Sequence, residues 1–323
     1  MSVEFCCPIH REPLDRSDPT RWVGVGHGEA YPVVEGIPIL LPDRAERDRI
    51  AKTDWDNVEL QKRDAVDFYN EAKYEERYSR ATHDDGRAIL NGLLDKLPSP
   101  GPVLEVGSGR GPLQGIGQDY TALDYAFTLL RRNVDPKHHR VCGTAERLPF
   151  FDETFAFIYS VDTLEHVPKA NLAFEEIHRV LKPGGVAFLL PAWHCVQYVC
   201  DGLAHRPYSD LTFRQRLVKF SLPMRKLPAA KAIAAMPARV ARRIGWWLSG
   251  AKPTAFRFSS LKPDYEHFWE SDFDACSRLD SHEGVLFFKS RGYELLSPNG
   301  GTIRQLLTRH EPVTVRKPIT AAG

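Results

Sequence analysis

"VLEVGSGRG", residues Val103 to Gly111, decides how the chain is read. A short apolar run meets one acid and then glycines at 107, 109 and 111, which predicts a strand running into a tight turn. Glycine lets such a turn take up φ values closed to other residues and lets a ligand approach the backbone with no Cβ in the way. A dinucleotide fingerprint needs its glycines at positions one, three and six, so that a helix N-terminus can accept the pyrophosphate. Here Gly111 stands fifth from Gly107 and Pro112 stands sixth, so the register excludes that ligand.

Outward from this loop the texture alternates. Strand-like runs "VLEV", "YTAL", "FAFIYS" and "VAFLL" are separated by helical or loop material between residues 103 and 191, which predicts βα units around a parallel sheet. In "KANLAFEEIHRVLKPGG", Ala173, Ile177 and Val180 fall on one helical face, with Phe174 and Leu181 beside them, and Pro183-Gly184-Gly185 ends the helix. A second helix is expected from Glu283 to about Arg291, opened by Asp280 and closed by Gly292. Residues 44–98 read as a helical lead-in, with "EAKYEERYSR" its most helix-compatible stretch and "LPSPGP" its breaker.

Four segments in order carry a resemblance to a known family. Glu105-x-Gly107-x-Gly109-x-Gly111, the acid Asp124 closing "YTALD", "GTAERLPF" at 143–150, and "FAFIYSVDTLEHV" followed by "EEIHRVLKPGG" together resemble the class I S-adenosylmethionine-dependent methyltransferases, of the type 11-like kind. The resemblance implies an α/β fold: a Rossmann-like, seven-stranded, mostly parallel sheet flanked by helices, here with a small N-terminal β-rich appendage and a helical insertion. It implies that Glu105, Gly107, Gly109 and Gly111 approach the methionine half of the cofactor, where a carboxylate favours a cationic sulfonium. Asp124 would accept the ribose hydroxyls, and Ala145 with Glu146 would border the adenine. Two departures are visible: the 19 residues from Glu105 to Asp124 are a short spacing broken by Pro112, Gly115 and Gly117, so the first helix is expected to be shortened or replaced by loop. Thr144 stands where the family usually has an aspartate.

Methyl transfer asks the protein mainly to align donor and acceptor and sometimes to remove a proton. His166, after the fourth strand, and His194, after the fifth, are the candidate catalytic residues, since strand C-termini face the ligand crevice in such sheets and imidazole titrates near neutrality. The rival readings are a structural loop pair for Glu165 and His166, and core closure for Trp193 and His194. The acceptor is expected to be a small-molecule, lipid-linked or glycan hydroxyl. A non-catalytic cofactor-binding or partner-activating subunit is the alternative.

Residues 1–43 resemble small zinc-ribbon modules through "CCPIHREPL" and "YPVVEGIPILL". Cys7, His10 and His27 are the remaining candidate zinc ligands, while Gly24 falls where a third cysteine belongs, so a metal-free relic is the competing reading. The rest, 99–323, reads as the methyltransferase domain, with a basic helical cap at about 192–279.

With 43 basic and 42 acidic residues the formal charge is +1, so no global field points to nucleic acid or membrane. Locally, 212–250 holds nine Lys and Arg and no acid, and Pro223, Pro228 and Pro237 are expected to cut it into short helices. Val240, Ile244, Trp247 and Leu248 share one face, so the segment reads as an acceptor lid or as a peripheral membrane contact, with nucleic acid the weakest reading. Six scattered cysteines and no secretory or spanning stretch lead to the expectation of a cytoplasmic protein with reduced thiols.

Overall fold

The computed structural model describes residues 3–58, 64–71, 84–226, 228–267, 272–298, 301–308 and 310–319. Most of "EAKYEERYSR" lies outside them. The central sheet has seven strands, numbered here in chain order: β5 (Val103–Val106), β6 (Tyr120–Asp124), β7 (His139–Cys142), β8 (Phe155–Val161), β9 (Leu181–Leu190), β12 (Glu294–Ser297) and β13 (Val313–Arg316). Their order is β12-β13-β9-β8-β5-β6-β7. The β5–β6, β5–β8 and β6–β7 pairs are parallel, and β12–β13 is antiparallel. Every residue of β5 is buried, as is usual for a strand covered on both faces.

By its contacts the chain forms two compact units, one of residues 1–161, 172–188 and 317–323 and one of 162–171 and 189–316. The first unit begins with an antiparallel meander, β1 (Leu14–Asp18), β2 (Arg21–Gly24), β3 (Ala30–Val34) and β4 (Ile37–Pro38). This segment is stitched to the parallel strands at two points. Ile39 bridges Cys142, with Leu40 N–H donating to the Cys142 carbonyl at 2.7 Å, and Phe5 bridges Phe150, with Cys6 N–H donating to the Pro149 carbonyl at 2.9 Å. The Phe5 ring packs 5.5 Å from that of Phe150. Helix α1 (Arg44–Lys52) follows, capped by Asp43, and its Arg47 is buried over the Tyr31 ring while donating to the Leu41 carbonyl. Helices α2 (Ala65–Asn70) and α3 (Asp84–Leu94) lead to β5.

Residues 107–119 form turns and no helix, as the spacing suggested. Gly111, Gly115 and Gly117 all hold φ between 68° and 78°, which no continuing helix permits. Gln114 fastens this loop to the end of α4 (Phe127–Asn133), donating to the Asn133 carbonyl and accepting from Asp135 N–H. Helix α5 (Ala170–Val180) buries Ala173, Phe174, Ile177 and Val180 completely. It ends at Val180, before Pro183, because a proline holds the residue before it extended. Leu181 already belongs to β9.

The second unit carries α6 (Gln197–Cys200), α7 (Phe213–Phe220), α8 (Leu222–Lys226), α9 (Pro228–Leu248), α10 (Ser281–Lys289) and α11 (Thr302–Leu307), with a short pair β10 (Ser259–Ser260) and β11 (Ser277–Arg278). Helix α10 starts two residues earlier than expected because the Asp280 side chain accepts from His282 N–H. The expected breaks occur ahead of Pro223 and Pro228, where α7 ends at Phe220 and α8 at Lys226, but not at Pro237. Pro228 occupies the first position of α9, where its missing N–H costs nothing, and Pro237 sits inside one continuous 21-residue helix. Its C-terminal half is held by arginines that grip α10 and α11, as described below.

If the meander is integral to the first unit, Phe5→Ala should lower the stability of the whole unit by about 3 kcal/mol. Urea unfolding followed by circular dichroism measures this; a change confined to local exchange of residues 3–43 would contradict it.

Candidate functional site

The glycine loop is shaped by a single carboxylate. Gly107 and Ser108 N–H both donate to the Leu123 carbonyl, which fixes the turn against β6. One residue on, Asp124 accepts from Gly109 N–H at 2.6 Å through Oδ2 and from Ala126 N–H at 2.7 Å through Oδ1. Gly107, Gly109 and Gly111 have φ of 78°, 49° and 68°. A Cβ placed on Gly109 would meet nothing within 4 Å, so the loop leaves open space beside its own backbone. Asp124 thus holds the loop through both of its carboxylate oxygens. Those two features fit S-adenosylmethionine.

Glu105 departs from the expected role. It is buried and takes the hydroxyl proton of Tyr120 in a hydrogen bond, with Tyr159 alongside. Burial, the main cause, pushes its carboxyl up to about 8, so near neutrality it is largely uncharged. It props the loop from behind, and its burial favours the uncharged form. Tyr120 and Tyr159, the latter donating to the Leu113 carbonyl at 2.9 Å, were not singled out from the sequence because their partners are distant in it.

Ala145 is buried, Glu146 is half-exposed, and Thr144 Oγ1 accepts from Glu146 N–H. This segment is held from below by Glu176, which accepts from Leu148 N–H at 2.9 Å and pairs with Arg11 and Arg179.

The two candidate histidines lie in the second unit and differ sharply. His166 sits with Glu165, Asp272 and Asp274: its Nδ1 is 3.4 Å from Asp274 and its Nε2 is 3.8 Å from Glu165. Burial opposes a charge here, but Asp274, Glu165 and Asp272 outweigh it and raise the imidazole to about 9. Asp162, His194 and Asp272 in this unit hold left-handed backbone. Asp272 and Asp274 follow His166 by more than a hundred residues, so no sequence pattern links them.

His194 is the opposite case. Burial, aided by Arg239, depresses its imidazole to about 4, and its Nε2 lies 3.3 Å from Arg239, which also binds Asp280 at 2.7 Å. An imidazole that is already engaged and holds a proton so weakly makes a poor base, so we assign His194 to structure. Trp193 likewise closes the core, donating to the Glu311 carbonyl.

The expected zinc ligands are not assembled. Cys7 Sγ is buried in contact with the Tyr31 hydroxyl at 3.0 Å, His27 Nδ1 lies 3.1 Å from Glu12, and the His10 and His27 rings stack face to face. Among the described residues, the one group of three potential ligand side chains whose donor atoms lie within 4.8 Å of one another is Glu165, His166 and Asp272.

Glu105 generates a pH prediction. Its folded pKa lies above the ordinary carboxylate value, so the stability it adds is full below about 4.5 and is lost as pH rises through about 8. Glu105→Gln should therefore flatten the alkaline fall in urea midpoint, whereas Glu105→Ala, which strands the Tyr120 hydroxyl, should lower stability by about 2 kcal/mol at all pH values.

Comparison with known proteins agrees with this geometry. The methyltransferase domain family matches residues 104–189. The chain is 42% identical over 97 residues to the sterol 24-C-methyltransferase of Schizosaccharomyces pombe, covering 26% of each chain. It is 31% identical over 142 residues to the malonyl-[acyl-carrier protein] O-methyltransferase of Methylococcus capsulatus, covering 37% of this chain and 50% of that one. It thus spans at most half the length of these relatives. A crystal structure of an S-adenosyl-L-methionine-dependent methyltransferase candidate from Methanococcus maripaludis covers 63% of this chain and 92% of its own at 17% identity and a TM-score of 0.36. Residues 104–189, which hold all four of the resembling segments, thus match a methyltransferase domain family.

Proposed function

We propose that the chain transfers a methyl group from S-adenosylmethionine to a hydroxyl oxygen of a small or amphiphilic acceptor. The observation that carries this reading is the Asp124 carboxylate pinning Gly109 N–H beside open backbone. When bound, the cofactor supplies a methyl carbon activated by a cationic sulfonium. Asp124 would hold the ribose hydroxyls, and the 107–111 turn would accept the methionine half. Ala145 and Glu146 would border the adenine, with Thr144 making a weaker contact than an aspartate would. The relative from Methylococcus capsulatus is named for methylation at oxygen and that from Schizosaccharomyces pombe for methylation at carbon.

His166 would receive the acceptor's proton, positioned by Asp274 at its Nδ1. Because the carboxylates raise it to about 9, only its minor neutral form would serve near pH 7, and the rate should climb with pH until about 9. Asp274→Asn should move that rise to lower pH, and His166→Gln should remove it. A pH-independent rate in the parent chain would assign His166 to structure.

For the cofactor, Asp124→Asn should weaken S-adenosylhomocysteine binding by about 1 to 3 kcal/mol, measured by titration calorimetry on a variant with unchanged far-UV spectrum. Undiminished affinity would reject the ribose assignment. Transfer from labelled S-adenosylmethionine to a panel of hydroxylated amphiphiles tests the reaction itself. Tight binding without transfer to any of them would favour a non-catalytic cofactor-binding subunit.

A further inference from the structure

Helix α9 is built with its polarity reversed. Arg239, Arg242, Arg243 and Trp246, spaced as one helical face, turn inward: Arg239 binds Asp280 and the Thr308 carbonyl, Arg242 binds Glu283, and Arg243 binds Gln305. The opposite face, Val240, Ile244, Trp247 and Leu248, is left to solvent, with Trp247 72% exposed. A helix at the surface of a water-soluble unit ordinarily shows the reverse arrangement.

The neighbouring helix repeats the pattern. In α7, Phe213, Leu217 and Phe220 fall at i, i+4 and i+7, and the two phenylalanines are 78% and 81% exposed. Met224 in α8 is also 71% exposed. Of the 15 exposed large apolar residues among the described residues, nine lie between Tyr208 and Leu248. Such a concentration exceeds the scattered exposure that any surface shows and marks a contact face.

The charge around this face selects the occupant. Residues 212–250 contain no acid, and of their nine basic side chains Arg239 and Arg242 are matched by carboxylates. Arg214 and Arg225 are exposed beside Phe213 and Met224, and Lys219 lies over the Tyr208 ring at 5.1 Å. Apolar side chains with an aromatic anchor, bordered by cations and with Asp210 the one acid between 208 and 248, match the interface of an anionic bilayer, where rings sit at headgroup depth and cations meet lipid phosphates. No helix among the described residues is long and apolar enough to cross a membrane, so the contact would lie on its surface.

We propose that residues 208–248 form a docking face for anionic phospholipid bilayers. The proposal does not depend on methyl transfer, since vesicle binding is read without cofactor or acceptor. The test is sedimentation of the full chain with vesicles of phosphatidylcholine alone and of phosphatidylcholine mixed with phosphatidylglycerol. Partition onto the mixed vesicles should be about tenfold stronger and should weaken as salt is raised. The combined variant Phe213→Ser, Phe220→Ser, Trp247→Ser alters only exposed positions, and should keep the far-UV spectrum of the parent while losing at least about tenfold in partition. Equal binding to both vesicles, no binding, or full retention by the serine variant would overturn the proposal. So would concentration-dependent self-association, or binding of a short single-stranded RNA, that the serine variant loses while neither protein binds vesicles.

Discussion

The contact between the Asp124 carboxylate and Gly109 N–H is the constraint on which the rest of the site depends. A turn with three residues in left-handed conformation has no regular ladder to hold it, so its shape must come from outside. Asp124 supplies that hold, at 2.6 Å to Gly109 and 2.7 Å to Ala126, from the end of the neighbouring parallel strand. A charged acceptor bonded to backbone N–H groups gives short, strong bonds. It also fills, with the protein's own anion, the donors that a phosphate-binding turn would offer to its ligand. The loop is thereby suited to a cation and a ribose. Glu105 works from the other side, clasped by Tyr120, with burial pushing its carboxyl up toward the uncharged form.

The N-terminal segment shares in this arrangement. Its strand end joins Cys142 and its start joins Phe150, so the segment between them is gripped at both ends by residues far earlier in the chain. The cohesion comes from backbone pairing, from the Phe5 and Phe150 rings and from Arg47 over Tyr31. Cys7 is used as a buried polar atom beside the Tyr31 hydroxyl.

The second unit spends its charges inward. Arg239, Arg242 and Arg243 take their partners from α10, α11 and the chain that follows, and one consequence is that His194 lies against a guanidinium and stays neutral. Another is that the apolar side of α9 faces out, although hydrophobic pattern alone would have turned it in. Around His166 the charges run the other way: three carboxylates on one imidazole hold a proton that the isolated side chain would shed near neutrality.

Periodicity and glycine spacing were enough to predict the parallel strands, the helix whose face is Ala173, Ile177 and Val180, and the loss of the first helix between Gly107 and Asp119, because each is a local matter of backbone freedom and alternating burial. The contacts of Asp124 with the turn also follow from chain order, since a βα unit brings one strand end beside the next. What the sequence left open is everything that depends on a partner far along the chain. Glu105 became an internal support when Tyr120 and Tyr159 closed on it. His166 gained its charge from Asp272 and Asp274, and His194 lost its usefulness as a base to Arg239. The face of α9 was set by Asp280, Glu283 and Gln305. A side chain's charge state and direction are set by desolvation and by neighbours at a few ångströms, and only the tertiary structure determines which neighbours those are.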